Sequence, residues 1–257
     1  MSKLRMILAS FIAVTFVATG SAASKGDDKA QAIAQNMLQA MGGQDAWNKV
    51  HFVRYDFRVN VNGNTVADRA HLWDKQTGHY RYEDKTKDGK ARVVLFNMGN
   101  QQGEAYVDGK KLDGTAGSDA VKDAYKAFIN DMYWLAMPWK WMDAGVHLRY
   151  LGPRARKSRN FDVVELSFDH VGLTPGDHYQ AYVSPRSSMM EHWEYTLESG
   201  QKGSWDWEYT TTGGVKLAKT HRSEDGKSEI NMGDVRVLDT VDAAYFTDPA
   251  KPLNTLK

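Results

Sequence analysis

Apolar and polar residues alternate with a period of two along most of this chain, a pattern typical of half-buried β-strands. In residues 51–59, for example, Val53, Tyr55 and Phe57 alternate with charged side chains. Turn residues such as Asp225 and Gly226 separate neighbouring segments, so the strands are expected to pair as antiparallel hairpins. The pattern predicts twelve strands, at residues 51–59, 65–74, 79–84, 91–98, 103–107, 146–151, 161–169, 178–184, 189–198, 203–211, 215–223 and 228–238.

Two segments instead repeat apolar residues at intervals of three and four, which predicts amphipathic helices. The first covers residues 30–41 and the second covers residues 119–137. Ser118 is the expected N-cap of the second helix, and Pro138 is expected to end it. The predicted fold is therefore mainly β, of the α+β class. It is a single curved antiparallel sheet that forms an incomplete β-barrel, covered by an N-terminal helix and a central helix.

The first 23 residues have the pattern of a secretory signal peptide. Lys3 and Arg5 precede an apolar run, and small residues follow it, so cleavage is expected after Ala23. The sequence contains no cysteine, so neither a disulfide nor a lipid-modified cysteine is expected. These features predict a periplasmic or secreted protein whose residues 24–257 form one domain. Stable membrane insertion is not expected, because a spanning helix needs roughly 20 apolar residues.

Charge and motif spacing argue against several classes of function. The 33 basic and 32 acidic residues are spread along the chain, so no basic face for nucleic acid is expected. The eight histidines show no zinc-protease spacing, and no cofactor or metal site is predicted. Asp169-His170 and Asp177-His178 could face each other across a turn. A hydrolase is therefore kept as a third hypothesis, ranked after the two that are described below.

Several motifs resemble a known superfamily. They are Gly42-Gly43 with Ala46-Trp47, His71-Leu72-Trp73-Asp74, Phe128-Ile129-Asn130-Asp131, and the run from Val171 to Asp177. Together with the order of elements, they resemble the LolA/LolB-type superfamily of bacterial periplasmic lipoprotein carriers and acceptors, and more narrowly a group of uncharacterised secreted proteins within it. The resemblance implies an incomplete barrel that is lidded by helices and holds acyl chains. No arginine of this sequence is assigned the regulating role of the carriers.

The aromatic residues favour the same interpretation. The chain has 9 Phe, 8 Trp and 12 Tyr, many of them on predicted strand faces. Trp and Tyr make adaptable pocket walls, because their large rings carry polar tips. The leading hypothesis is a non-catalytic, monomeric protein that binds a hydrophobic small molecule, lipid or acyl chain, with a role in lipid or lipoprotein transport. The predicted ligand-binding residues are Tyr55, Phe57, Trp73, Tyr80, Tyr82, Phe96, Phe128, Met132, Tyr133, Trp193, Tyr195, Trp205 and Trp207.

A second hypothesis concerns the aromatic stretch at residues 128–141. Trp134, Trp139 and Trp141 do not belong to the apolar stripe of the central helix, and they are expected at its rim. There they could dock on another envelope protein, which would make the chain an interaction protein.

Overall fold

The computed structural model describes residues 25–169 and 176–257, within which fourteen strands form one sheet. All twelve predicted strands are present, and two further strands of two residues each, β1 and β7, were not predicted. The predicted signal peptide lies outside the described residues. The strands are β1 Lys25–Gly26, β2 Phe52–Val61, β3 Asn64–Asp74, β4 His79–Lys85, β5 Ala91–Asn97, β6 Gly103–Val107, β7 Lys110–Lys111, β8 Val146–Arg156, β9 Arg159–Phe168, β10 His178–Val183, β11 Met190–Thr196, β12 Lys202–Thr212, β13 Val215–Ser223 and β14 Ser228–Leu238.

The sheet consists of two meanders joined side by side. Its strand order is β1-β8-β9-β10-β11-β12-β13-β14-β2-β3-β4-β5-β6-β7. The last strand, β14, pairs antiparallel with β2, placing Met232 opposite Phe57, and this pairing fuses the two halves of the chain. Only β1, which pairs with β8, is parallel to its neighbour among the described strands. The sheet ends at β1 and β7, which do not pair with each other, so it does not close into a barrel.

In the part of the chain that the structure describes, four α-helices accompany the sheet: α1 Asp28–Ala40, α2 Gln44–Lys49, α3 Gly114–Ala136 and α4 Ala244–Thr247. Asp27 caps α1, because its Oδ1 accepts a hydrogen bond of 2.7 Å from the Ala30 amide. Helix α3 begins five residues before the predicted start, so the expected N-cap at Ser118 is wrong and Asp113 occupies that position. A Cβ on Gly117 would collide with the Leu112 carbonyl oxygen. This close approach explains why glycine occupies the position, although glycine is an unfavourable residue within a helix.

The sheet is strongly curved around α3. Phe128 of α3 packs 4.9 Å from Tyr80 on β4, and Tyr133 packs 5.8 Å from Tyr179 on β10. Strands β4 and β10 are seven positions apart in the sheet, which corresponds to about 34 Å if the sheet were flat. The five residue steps from Phe128 to Tyr133 advance only about 7.5 Å along a helix axis. The two strands must therefore bend toward each other, and the predicted curved, incomplete barrel is confirmed.

The N-terminal helices lie beside the exit of α3. A 3₁₀ turn, Met137–Lys140, follows α3, and within it Trp139 stacks on Trp47 of α2 with ring centroids 5.0 Å apart. The Trp139 Nε1 donates to the Lys216 carbonyl oxygen at 2.9 Å, which ties the turn to β13. Helix α1 buries Ile33 and Met37 in the same core. Two sets of helices thus cover the concave face, as the sequence predicted.

The C-terminal segment covers part of the opposite, convex face. Leu72 of β3 packs there against Tyr245 of α4 and Leu253. The guanidinium of Arg81, which is fully buried, donates to the carbonyl oxygens of Tyr245 and Asp248 at 3.0 and 2.7 Å. These hydrogen bonds satisfy the buried charge of Arg81 and fix the C-terminal segment to the convex side of β3 and β4. The segment therefore does not occupy the concave face, where α3 lies.

Candidate ligand-binding site

The concave face brings the predicted ligand-binding residues together. Each of them is buried, and all belong to one apolar cluster between the sheet and α3. Phe128, Met132 and Tyr133 lie on α3 itself, and the other ten lie on the strands that face it. The structure therefore places them along one continuous interface, and their contact with a ligand stays a prediction. They are Tyr55, Phe57, Trp73, Tyr80, Tyr82, Phe96, Phe128, Met132, Tyr133, Trp193, Tyr195, Trp205 and Trp207.

Helix α3 fills the concavity with its own aromatic side chains. Phe128 makes edge contacts with Trp73 and Tyr80, at centroid distances of 5.6 and 4.9 Å. Tyr133 lies 5.9 Å from Trp193 on the other side of the helix. The space between α3 and the sheet is thus filled by side chains of the chain itself.

Trp134 lies at the centre of this packing. Its ring is 4.9 Å from Trp193, 5.1 Å from Trp205 and 5.0 Å from His221. Trp134, Trp139 and Trp141 are all 3% exposed or less, so the prediction that they form an exposed rim for a partner is wrong. A surface helix buries one stripe, but a sheet that curves around the helix covers a wider arc of it.

A charged group is buried at the same interface. Asp131 of α3 is fully buried, and its two carboxylate oxygens accept hydrogen bonds of 2.6 and 2.8 Å from Nη1 of Arg69 on β3. The amide of Asn130 donates to the same carboxylate at 2.8 Å. Burial alone would raise the pKa of Asp131, but the charge and the hydrogen bonds of Arg69 outweigh it and hold that pKa below its usual value. Asp131 is therefore ionised, and the ion pair ties α3 to the sheet.

His71 extends this ion pair into a chain of polar side chains. Its Nε2 lies 3.1 Å from Oδ2 of Asp131, outside normal hydrogen-bond geometry, and its Nδ1 lies 2.8 Å from the Tyr80 hydroxyl. The Tyr80 and Tyr55 hydroxyls are 3.1 Å apart, and the Tyr55 ring stacks on His71 at 4.4 Å. Burial lowers the pKa of His71 and raises that of both tyrosines, so all three are neutral near pH 7. We call Asp131, Arg69, His71, Tyr80 and Tyr55 the latch.

We did not predict the latch, although part of its signal is present in the sequence. Arg69 and His71 alternate in phase with Trp73, so all three share one strand face, although two of them are polar. Asp131 likewise interrupts an apolar helical stretch. A polar residue within an apolar stripe indicates a buried partner, but the pairing itself joins residues 62 positions apart, which the pattern does not reveal.

The predicted Asp–His pair does not form a site in the described residues. Asp177 is buried and accepts a hydrogen bond of 2.8 Å from the Glu198 amide, which closes a turn, while His178 is exposed. Asp169 pairs with His147 at 2.6 Å, and His170 lies outside the described residues. These contacts are those of ordinary turn residues.

A different histidine on the convex face has the geometry of a nucleophile and its base. His192 Nδ1 lies 2.9 Å from Asp206 and its Nε2 lies 3.2 Å from the Ser204 hydroxyl, beside a groove of about 780 Å³. However, Ser204 donates its proton to Glu224 at 2.6 Å. Strand β12 is also paired on both sides, so its backbone amides are not free to stabilise an oxyanion. The group is better explained as a cross-strand polar cluster.

Comparisons with known proteins returned similar folds at low sequence identity. No family model and no curated protein sequence match this chain. A solved DUF1329 family protein from Desulfovibrio piger has 12% identity and a TM-score of 0.48, covering 86% of this chain and 98% of its own. A domain from Vibrio parahaemolyticus named for outer membrane lipoprotein sorting has 10% identity and a TM-score of 0.45, covering 84% and 98%.

A LolA superfamily protein from Nitrosomonas europaea is also similar, with 13% identity, a TM-score of 0.44 and coverage of 84% of this chain and 96% of its own. The superfamily that the sequence motifs resemble is thus also the one named for a similar solved structure. Among the described residues, no helix is long and apolar enough to cross a membrane. Those residues also contain no cluster of three or more side chains suited to a metal ion.

Proposed function

We propose that this chain binds a hydrophobic ligand, a lipid or an acyl chain, on the concave face of its sheet, and that α3 is the lid that leaves this face. The proposal includes a periplasmic or secreted location and a role in lipid or lipoprotein transport. The observation that carries it is the continuous aromatic surface of the sheet that faces α3.

The buried ion pair supports a lid rather than a permanent core helix. Burying a charge is costly even when it is paired, and an apolar contact of the same volume is often equally stable. Asp131 and Arg69 therefore add little net stability to the closed form. They are better explained as a device that fixes one position of α3 and can be broken, a role that is documented for buried polar pairs.

The free energies of lid opening and of ligand burial are of similar size. Opening the last turns of α3 exposes six large apolar side chains and costs roughly 9–18 kcal/mol, at about 1.5–3 kcal/mol for each. They are Phe128, Ile129, Met132, Tyr133, Trp134 and Leu135. Covering an acyl chain with about fourteen methylenes contributes roughly 11 kcal/mol, at about 0.8 kcal/mol for each. A ligand of this length can therefore offset the displacement of the lid, whereas a much shorter one cannot.

Lipid extraction and probe binding test the proposal. The protein, purified without detergent, is extracted with organic solvent, and the extract is analysed by mass spectrometry. The emptied protein is then titrated with a fluorescent fatty acid. We expect a co-purified lipid and saturable binding of the probe. An extract without lipid, together with no saturable binding, would refute the proposal.

A matched pair of variants links binding to the lid. Asp131→Asn weakens the latch, while Asp123→Asn removes an exposed carboxylate from the same helix. We expect the first variant to bind the probe more tightly than the unmodified protein, because less free energy is needed to open α3. The second should bind it unchanged. Equal affinities for all three proteins would show that α3 does not control access.

A further inference from the structure

One region of the concave face contains buried nitrogen atoms without hydrogen-bond partners. Both Trp193 and Trp207 are buried, and neither indole N–H has an acceptor. Neither ring nitrogen of His221 makes a hydrogen bond of normal geometry, although the Trp134 backbone lies close enough to favour its charged form slightly. By contrast, the indole N–H groups of Trp139 and Trp141 both have acceptors.

The three side chains are neighbours. The Trp207 ring lies 5.0 Å from Trp193 and 4.2 Å from His221. Trp134 of α3 covers all three, at centroid distances of 4.9 Å from Trp193, 6.1 Å from Trp207 and 5.0 Å from His221. Withdrawal of the lid would therefore expose two donors and a histidine at one place on an otherwise apolar wall.

Such a group is unusual in a folded protein. The large majority of buried side-chain polar atoms have a partner, and an unsatisfied one costs about 1–3 kcal/mol. The cost would be recovered by a molecule that brings a hydrogen-bond acceptor to this place. Trp193, Trp207 and His221 thus have the properties expected of a polar subsite that is empty while the lid is closed.

The uncharged side chains at this place favour a neutral hydrogen-bond acceptor over an ionised one. Burial lowers the pKa of His221 to about 3, and no charged side chain contributes to that shift. Trp193 and Trp207 are uncharged, so an ionised carboxylate would be buried here without a cation. An ester or amide carbonyl needs only donors, which the two indoles and the neutral imidazole supply.

We propose that Trp193, Trp207 and His221 bind the carbonyl oxygen of a neutral acyl ester or amide, and so fix the polar end of the ligand. This inference rests on the proposed function, since it requires that α3 leave the concave face. It names the class of ligand, which is an esterified or amidated acyl chain rather than a free fatty acid or a hydrocarbon.

Competition experiments with three molecules of similar length test the inference. Methyl laurate, laurate and tridecane each displace a fluorescent acyl probe at pH 7. We expect methyl laurate to bind about 10-fold more tightly than tridecane, which corresponds to one net hydrogen bond. Laurate should bind less tightly than its ester. Preference for laurate, or equal affinity for the ester and the alkane, would overturn the inference and leave the proposed function intact.

Variants assign the preference to these side chains. Trp207→Phe and His221→Phe should each remove most of the preference for the ester and leave tridecane affinity within about 2-fold, since they delete donors and keep an aromatic ring. If either misfolds, Trp207 is replaced by benzothienylalanine, which keeps the ring shape without the N–H. Trp139→Phe is the control, because its donor bonds to Lys216 elsewhere. A preference that survives all replacements would contradict the assignment, and no acyl binding by any protein would instead refute the proposed function.

Discussion

The replacement Asp131→Asn is the most informative perturbation of the latch. Asparagine has the shape of aspartate but carries no charge, so the packing around the side chain is preserved. One carbonyl oxygen remains to accept from Arg69, while the new amide N–H₂ faces donors of Arg69 or His71. The variant therefore weakens the tie between α3 and β3 without creating a cavity.

The size of the effect follows from the burial of the pair. Asp131 is fully buried and the Arg69 side chain is 20% exposed, so solvent screening is weak. Removing one partner of a buried ion pair costs about 3–5 kcal/mol. Because asparagine keeps one acceptor, we expect a loss at the lower end, about 3 kcal/mol in the free energy that keeps α3 closed. That loss corresponds to an increase of about 100-fold in the open population.

Hydrogen exchange measures this opening directly. In Asp131→Asn, the backbone amides of residues 128–136 should exchange about 100-fold faster, while those in the central strands β2 and β14 should change much less. Asp123→Asn provides the control, because its carboxylate is exposed on the same helix. Equal acceleration in α3 and in the central strands would refute the reasoning, since the ion pair would then support the whole fold rather than a lid.

Three further predictions concern other side chains. His221→Phe should make the free energy of unfolding less sensitive to acid. The unfolded histidine binds a proton below about pH 6.5, whereas the buried one has a pKa of about 3, so in urea unfolding the unmodified protein should lose about 2 kcal/mol from this residue between pH 7 and pH 5. The variant should lack this loss. Trp134→Ala should lower the unfolding free energy by about 3–5 kcal/mol, and Trp134→Phe by less, because the first leaves a cavity among buried rings. Ser204→Ala should leave hydrolysis of an ester panel unchanged, since its hydroxyl donates to Glu224 rather than to a base.

Each of these predictions has a contradicting result. An unchanged slope between pH 5 and pH 7 in His221→Phe would mean that this histidine is solvated in the folded protein. A loss below about 1 kcal/mol in Trp134→Ala would mean that its ring is not part of the core. An ester hydrolysis rate that depends on Ser204 would reopen the hydrolase alternative at the convex groove.

Most of the sheet was predictable because its faces differ in polarity. Strand β14 covers Ser228–Leu238, the predicted range, since alternation along it was clear and Asp225-Gly226 marked the preceding turn. The start of α3 was not predictable, because Gly114 and Gly117 are unfavourable residues within a helix. Only the contact between Gly117 and Leu112 in the structure explains glycine at that position.

The candidate site was predictable in part. Period-two alternation located the aromatic strand residues, and all of these predicted residues lie under α3. The burial of Trp134 was not foreseen, because a helical stripe of ordinary width excludes it and the curvature of the sheet depends on pairings across the whole chain. The latch and the unpaired nitrogens of Trp193 and Trp207 depend in the same way on contacts between distant residues.

In the proposed function, a ligand takes the place of α3 on the concave face. The most direct measurement is ¹⁹F NMR of protein labelled with fluorotryptophan, which reports on all eight tryptophans during titration with methyl laurate. We predict that the resonances of Trp134, Trp193, Trp205 and Trp207 shift together, while those of Trp47 and Trp139, which stack on each other beyond the C-terminal end of α3, stay in place. Saturable ligand binding that shifts only Trp47 and Trp139, or none of the eight, would contradict the claim.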